Sequence, residues 1–142
     1  MIYLGDVNFW LAVTFESHVH HARAKQWFEP LSAPHGCAFC RFTQQGFLRL
    51  ATNPKAFGDE AVTLAEAWTL YDRLLADPRV SFTEEPLGIE ASWPRYTSQR
   101  RFSPKVWSDA YLAAFVQHAG SELVTFDQGF GQFTQSASTI LS

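Results

Sequence analysis

Positive charge runs out early in this chain. All eleven lysines and arginines lie at or before Lys105, and residues 106–142 hold none. Fourteen aspartates and glutamates bring the net charge to −3, which excludes binding to polyanions by bulk attraction. Cysteine is scarcer still. Only Cys37 and Cys40 occur, so a disulfide scaffold is excluded and a reducing, cytoplasmic setting is expected. No apolar run approaches the ~20 residues of a membrane span, so no membrane role is expected. The N-terminal MIYLGDVNFWL lacks a basic segment and meets an aspartate at position 6, unlike a secretory signal. Repeats, low-complexity tracts and linkers are also missing, so residues 1–142 read as one domain. At 46% hydrophobic and 18% charged residues, that domain can build a buried core.

Short apolar runs alternate with helical patterns. IYLG at 2–5, GCAF at 36–39, VSFTEE at 80–85, ELVTF at 122–126 and TIL at 139–141 have strand character. FWLAVTF at 9–15, His20–Phe28, Leu87–Tyr96 and Ser108–Gln117 read as helices. Another helix is expected behind a Thr43 cap, ending before Asn53-Pro54. Thr63–Ala76 is the clearest, with Leu64, Ala67, Trp68, Tyr71, Leu74 and Leu75 on one stripe. Helical crossovers between buried strands predict an α/β fold: a three-layer α/β/α domain around a central parallel sheet. Ligands of such sheets gather at the carboxyl ends of the strands.

Asp6, Asp109 and Asp127 stand apart from the other acids. Each is set in apolar sequence at an element junction: YLGDVNFW, VWSDAYLAA and LVTFDQGF. A carboxylate in such a place is paired, caps a helix, or shares a cation with its neighbours. Taken singly, each reads as a cap. Taken together, they point to one site, where a hard divalent cation offsets the mutual repulsion. Oxygen donors without matching cysteine or histidine spacing suit Mg²⁺ or Mn²⁺ rather than Zn²⁺.

Four segments in order resemble the motifs of PIN-domain proteins, most closely the VapC toxin branch of bacterial toxin–antitoxin pairs. They are Asp6-Val7-Asn8, Thr43-Gln44, Asp109-Ala110-Tyr111-Leu112-Ala113-Ala114, and Thr125-Phe126-Asp127-Gln128-Gly129-Phe130. The resemblance covers the chain from Met1 to about Leu141 and implies a Mg²⁺- or Mn²⁺-dependent endoribonuclease. It assigns the metal to Asp6, Asp109 and Asp127. Asn8 is then expected to orient Asp6, and Thr125 to support the strand end at Asp127. It further implies an RNA substrate, a VapB-type antitoxin partner and a homodimer. One departure is Gln44, which stands where the family carries glutamate, and it predicts a weakened cation site. A noncatalytic RNA-binding or antitoxin-sequestering protein is therefore the alternative. A phosphatase on the same kind of sheet fits less well: position 8 is Asn, and no lysine follows Lys105.

Other features carry less. Arg95, Arg100, Arg101 and Lys105 form a stripe that can meet phosphate, or a solvated connector. His18, His20 and His21 point in different directions on a helix and do not converge on a metal. Trp10, Phe15, Trp27 and Phe28 are expected to leave an exposed groove near the first two helices, suited to an antitoxin segment.

Overall fold

A computed structural model describes residues 2–98 and 102–142. Five short strands, β1 (Tyr3–Gly5), β2 (Cys37–Phe39), β3 (Val80–Phe82), β4 (Glu122–Thr125) and β5 (Ser138–Ile140), form one sheet in the order β3-β2-β1-β4-β5. Every neighbouring pair is parallel, with Tyr3 facing Cys37, Leu4 facing Leu123, and Val124 facing Thr139. The central strands are buried on both faces, which is why they read as unbroken apolar runs rather than alternating ones. The chain runs outward from β1 to β3, then returns to the other side of β1 for β4. That reversal places the topological switch point at the β1–β4 seam.

Helices α1 (Val7–Thr14), α2 (His21–Phe28), α3 (Arg41–Ala51), α4 (Pro54–Phe57) and α5 (Leu64–Ala76) precede β3. Helices α6 (Ile89–Tyr96) and α7 (Val106–Ala119) lie between β3 and β4. Phe9, Trp10, Phe28, Phe39, Phe47 and Tyr71 fill the core on one face of the sheet, where Trp10 stacks on Phe39 at 4.1 Å. Leu4, Ala113, Phe115, Leu123 and Phe130 fill the core on the other. The two layers of helices and the parallel sheet between them are the α/β/α arrangement expected from the sequence.

Three local expectations need correction, and one is extended. Thr43 does not cap α3, whose first residue is Arg41. Thr43 sits one turn in and its Oγ1 accepts from the Cys40 N–H at 2.9 Å, the return half of a capping box. Helix α7 starts at Val106 rather than Ser108, so Asp109 lies inside its first turn, with its N–H on the Lys105 carbonyl. Helix α3 ends before Asn53-Pro54 as expected, and the same pair also starts α4, because Asn53 Oδ1 accepts from the Lys55 N–H at 2.9 Å and Pro54 suits a first helical position. Trp10 and Phe28 form no open groove; they are core residues, since α1 is buried nearly all round. The exposed aromatics lie elsewhere: Phe42, Trp68, Phe102 and Trp107.

Candidate active site

Asp6 follows β1 directly. Its Oδ1 accepts from the Phe9 N–H at 2.8 Å, so it caps α1, while its Oδ2 accepts from the Thr125 hydroxyl. Thr125 ends β4, and its Oγ1 also accepts from the Asp127 N–H at 2.9 Å. One buried hydroxyl thus ties the carboxyl ends of the two strands at the switch point together. Asp127 caps the 3-10 turn Gln128–Gln132 through Gly129 N–H to Oδ1, at 2.8 Å. Asp6 and Asp127 are both caps, as each reads singly, and each keeps its other carboxylate oxygen off the backbone amides that it caps. One oxygen of each aspartate is spent on a backbone N–H.

Asp109 reaches the same place from the first turn of α7. Asp6, Asn8, Asp109, Asp127, Arg49 and Lys105 all line one cleft of about 270 Å³. Burial pushes the Asp6 carboxyl up to about 6, against the bonds from Thr125 and Phe9, and the charge of Asp127 adds to the rise. Burial also pushes Asp109 up to about 6, with Asp127 and then Asp6 contributing repulsion that Lys105 partly offsets. Lys105 Nζ stands 3.6 Å from Asp127 Oδ2. As they stand, no group of three His, Cys, Asp or Glu side chains among the described residues is tight enough to hold one ion. The donor chemistry nonetheless fits a hard divalent cation: three carboxylates line one cleft, two of them resisting ionisation chiefly because they are buried and further because like charge lies close.

The remaining expected site residues fall differently. Asn8 lines the cleft, but the bonds that orient Asp6 come from Phe9 and Thr125 instead. Gln44 does not line the cleft. It is buried, and its Oε1 accepts from Arg41 Nη1 at 2.5 Å. The reason is helical phase. Phe42 and Arg49, seven apart, define the face of α3 toward the cleft, and Gln44 lies about 200° round from Phe42. Gln45 lies nearer that face and is exposed. Arg100 and Arg101 lie outside the described residues. Arg49 escaped the sequence reading, although its spacing from Phe42 is the signal that could have found it. Of the histidines, His18 Nδ1 accepts from the His20 N–H at 3.0 Å, and the His20 ring stacks on Phe126 at 4.3 Å. The first contact is local, and the second packs the start of α2 against the residue after β4.

The placement of Gln44 makes a prediction. Gln44→Glu should pair with Arg41 and leave the thermal stabilisation gained on adding Mn²⁺ the same as in the unsubstituted protein. A clearly enlarged shift in a melting assay would return position 44 to the cleft.

An open parallel sheet with three aspartates over its switch point defines a class of α/β domain whose chemistry centres on an acidic crevice. The chain matches the PIN domain family over residues 3–135. It is 44% identical over 134 residues to "Ribonuclease VapC41" of Mycobacterium tuberculosis, covering 92% of each chain. It is 34% identical over 127 residues to "Ribonuclease VapC38" of the same species, covering 89% of this chain and 85% of that one. Its fold superposes with a TM-score of 0.70, at 10% identity and over 100% of both chains, on a chain of the crystal structure of VapBC2 from Rickettsia felis bound to a promoter DNA fragment. The chain belongs to the PIN-domain family, in its VapC branch.

Proposed function

We propose that this chain is a metal-dependent endoribonuclease, the toxin of a VapBC-type pair, hydrolysing RNA phosphodiester bonds. The observation that carries the reading is the convergence of Asp6, Asp109 and Asp127 on one cleft at the switch point, in a chain with 44% identity to a named ribonuclease. Asp6, Asp109 and Asp127 would hold Mg²⁺ or Mn²⁺. That ion supplies charge neutralisation at the phosphate and a more acidic water. Asp6 or Asp109 would take the proton of the attacking water. Thr125 keeps Asp6 aimed while that proton arrives, because its hydroxyl is fixed from behind by the Asp127 N–H. Asn8 presents an amide to the same cleft, and Arg49 and Lys105 supply positive charge for nonbridging phosphate oxygens.

The noncatalytic alternative rested on Gln44, and its motive weakens because that side chain is bonded to Arg41 instead of facing the acids. The antitoxin belongs to this reading as well. Past Asn8 and Leu50 the acid cleft continues into a second, of about 350 Å³, that Leu11, Val19 and Phe57 help to line. An apolar antitoxin segment lying there would bring a basic side chain to the acids. A homodimer completes the proposal. Among the described residues no helix is long and apolar enough to cross a membrane.

Incubation with a mixed RNA pool tests the reading. Cleavage is expected with Mg²⁺ or Mn²⁺ and should vanish in excess chelator, with p-nitrophenyl phosphate left intact. Undiminished cleavage in chelator rejects the role given to the three aspartates.

A further inference from the structure

Beside the acid cleft lies a groove of about 300 Å³ lined by Phe42, Trp93, Trp107, Ser108 and Tyr111. Phe42 and Ser108 line both, so the two depressions share a wall. Resting on the ribonuclease reading, we infer that this groove is a base-binding shelf, taking one unpaired nucleobase of the RNA strand whose phosphate lies among the aspartates.

The rings come from three helices and are held in place. Phe42 lies in the first turn of α3, Trp93 lies in α6, and Trp107 and Tyr111 lie in the first turns of α7. Trp93 Nε1 donates to the Trp107 carbonyl at 3.0 Å, and the Tyr111 hydroxyl donates to Glu85 Oε1 at 2.5 Å. Packing among the rings is edge to face: Trp93 to Trp107 at 88°, Trp93 to Tyr111 at 70°, Phe42 to Tyr111 at 64°. In each pair the edge of one ring meets the face of the other, and the ring surface left for a planar ligand is that of the exposed Trp107 and Phe42. Trp107 is 58% exposed, and exposed aromatics of this size beside a cleft mark a binding surface.

Charge selects the occupant. The groove is lined by four aromatics and a serine, whereas the adjoining cleft carries Arg49 and Lys105. Aromatic faces next to cationic side chains are the recurring means of binding single-stranded nucleic acid: bases stack, and phosphates meet the charges. A base within an A-form duplex is already stacked on its neighbours, so the shelf takes loops and single strands. The volume lies at the small end of ligand clefts, which suits one ring system rather than a wide protein face.

The test uses the full chain and a single-stranded oligoribonucleotide spanning a mapped cleavage site, with steady-state cleavage measured in Mg²⁺. Trp107→Ala should raise KM about tenfold, the scale of one lost base stack, and Trp107→Phe should recover most of it. Replacing one nucleotide flanking the scissile bond by an abasic residue should raise KM for the unsubstituted protein by a similar factor. That abasic strand should be insensitive to Trp107→Ala. Unchanged KM in Trp107→Ala, while the unsubstituted protein cleaves normally, overturns the shelf and leaves the ribonuclease reading standing. Equal losses on intact and abasic strands, together with a fall in sedimentation coefficient, also overturn it and make the groove an interface between copies. If the unsubstituted protein cleaves no RNA at all, the ribonuclease reading fails first and the shelf with it.

Discussion

Asp6→Asn should leave the protein folded and lower RNA cleavage by at least about 100-fold. The two halves of that expectation have separate causes. Folding survives because asparagine is as good a helix cap as aspartate. Its carbonyl can keep the bond from the Phe9 N–H, and its amide can donate to Thr125 Oγ1 once the hydroxyl turns. The exchange also removes a carboxyl whose ionisation burial already opposes. Activity does not survive. A neutral amide neither takes a proton from water nor balances a cation's charge. Partners that merely support metal ligands are worth about 10- to 100-fold, so loss of Asp6 as the proposed ligand should exceed that range. Circular dichroism and cleavage rates on one preparation check both halves. Retained cleavage would mean that Asp6 is only the cap of α1.

The second expected result concerns pH and cations. In excess chelator, the protein should lose stability as pH rises from about 4 to about 6. Asp6 moves from an ordinary 3.8 to about 6 on folding, so in that window the folded chain binds more protons than the unfolded one. Stability must then fall with rising pH, and it levels off above about 6. The shift corresponds to about 3 kcal/mol for this buried group. Asp109 acts in the same direction, with less weight because it is half exposed to solvent. Asp77 does not interfere, since Arg79 lowers its pKa and its effect falls below about pH 3.8. His18, lowered by burial and its histidine neighbours, works the other way as pH falls through 6.5. The difference in unfolding free energy between Asp6→Asn and the unsubstituted protein, measured across pH, isolates the Asp6 contribution. The substituted protein should gain on the parent between pH 4 and 6 in chelator. Mn²⁺ should restore the parent above pH 6 and do much less for Asp6→Asn. A flat difference across pH would show that Asp6 titrates normally.

Much of this architecture can be read from residue order. Strands of three or four residues are legible here because both their faces are buried, so IYLG and ELVTF stand out as apolar runs. Asp6 follows the first strand and Thr125 ends the second, both at the carboxyl rim of the sheet. The three aspartates were legible for the same reason: a carboxylate in apolar sequence must be accounted for. Helix phase was not legible. Helix α3 starts three residues before the position a Thr43 cap would give, Gln44 bonds to Arg41, and Arg49 instead lines the cleft with the acids. Nor does local sequence show which rings are covered. Trp10 and Trp107 both sit in apolar helices, yet one is enclosed by α2 and the sheet and the other stands open. Those outcomes depend on contacts far apart in the chain.

The chemistry of the cut ends tests the central claim most directly. RNA cleaved by the protein in Mg²⁺ should carry 5′-phosphate and 3′-hydroxyl termini if, as proposed, a water held among Asp6, Asp109 and Asp127 is the nucleophile, and no ends should form in chelator. Termini bearing 2′,3′-cyclic phosphate, formed equally well in chelator, would show that the ribose hydroxyl attacks and that the three aspartates are not the centre of the reaction.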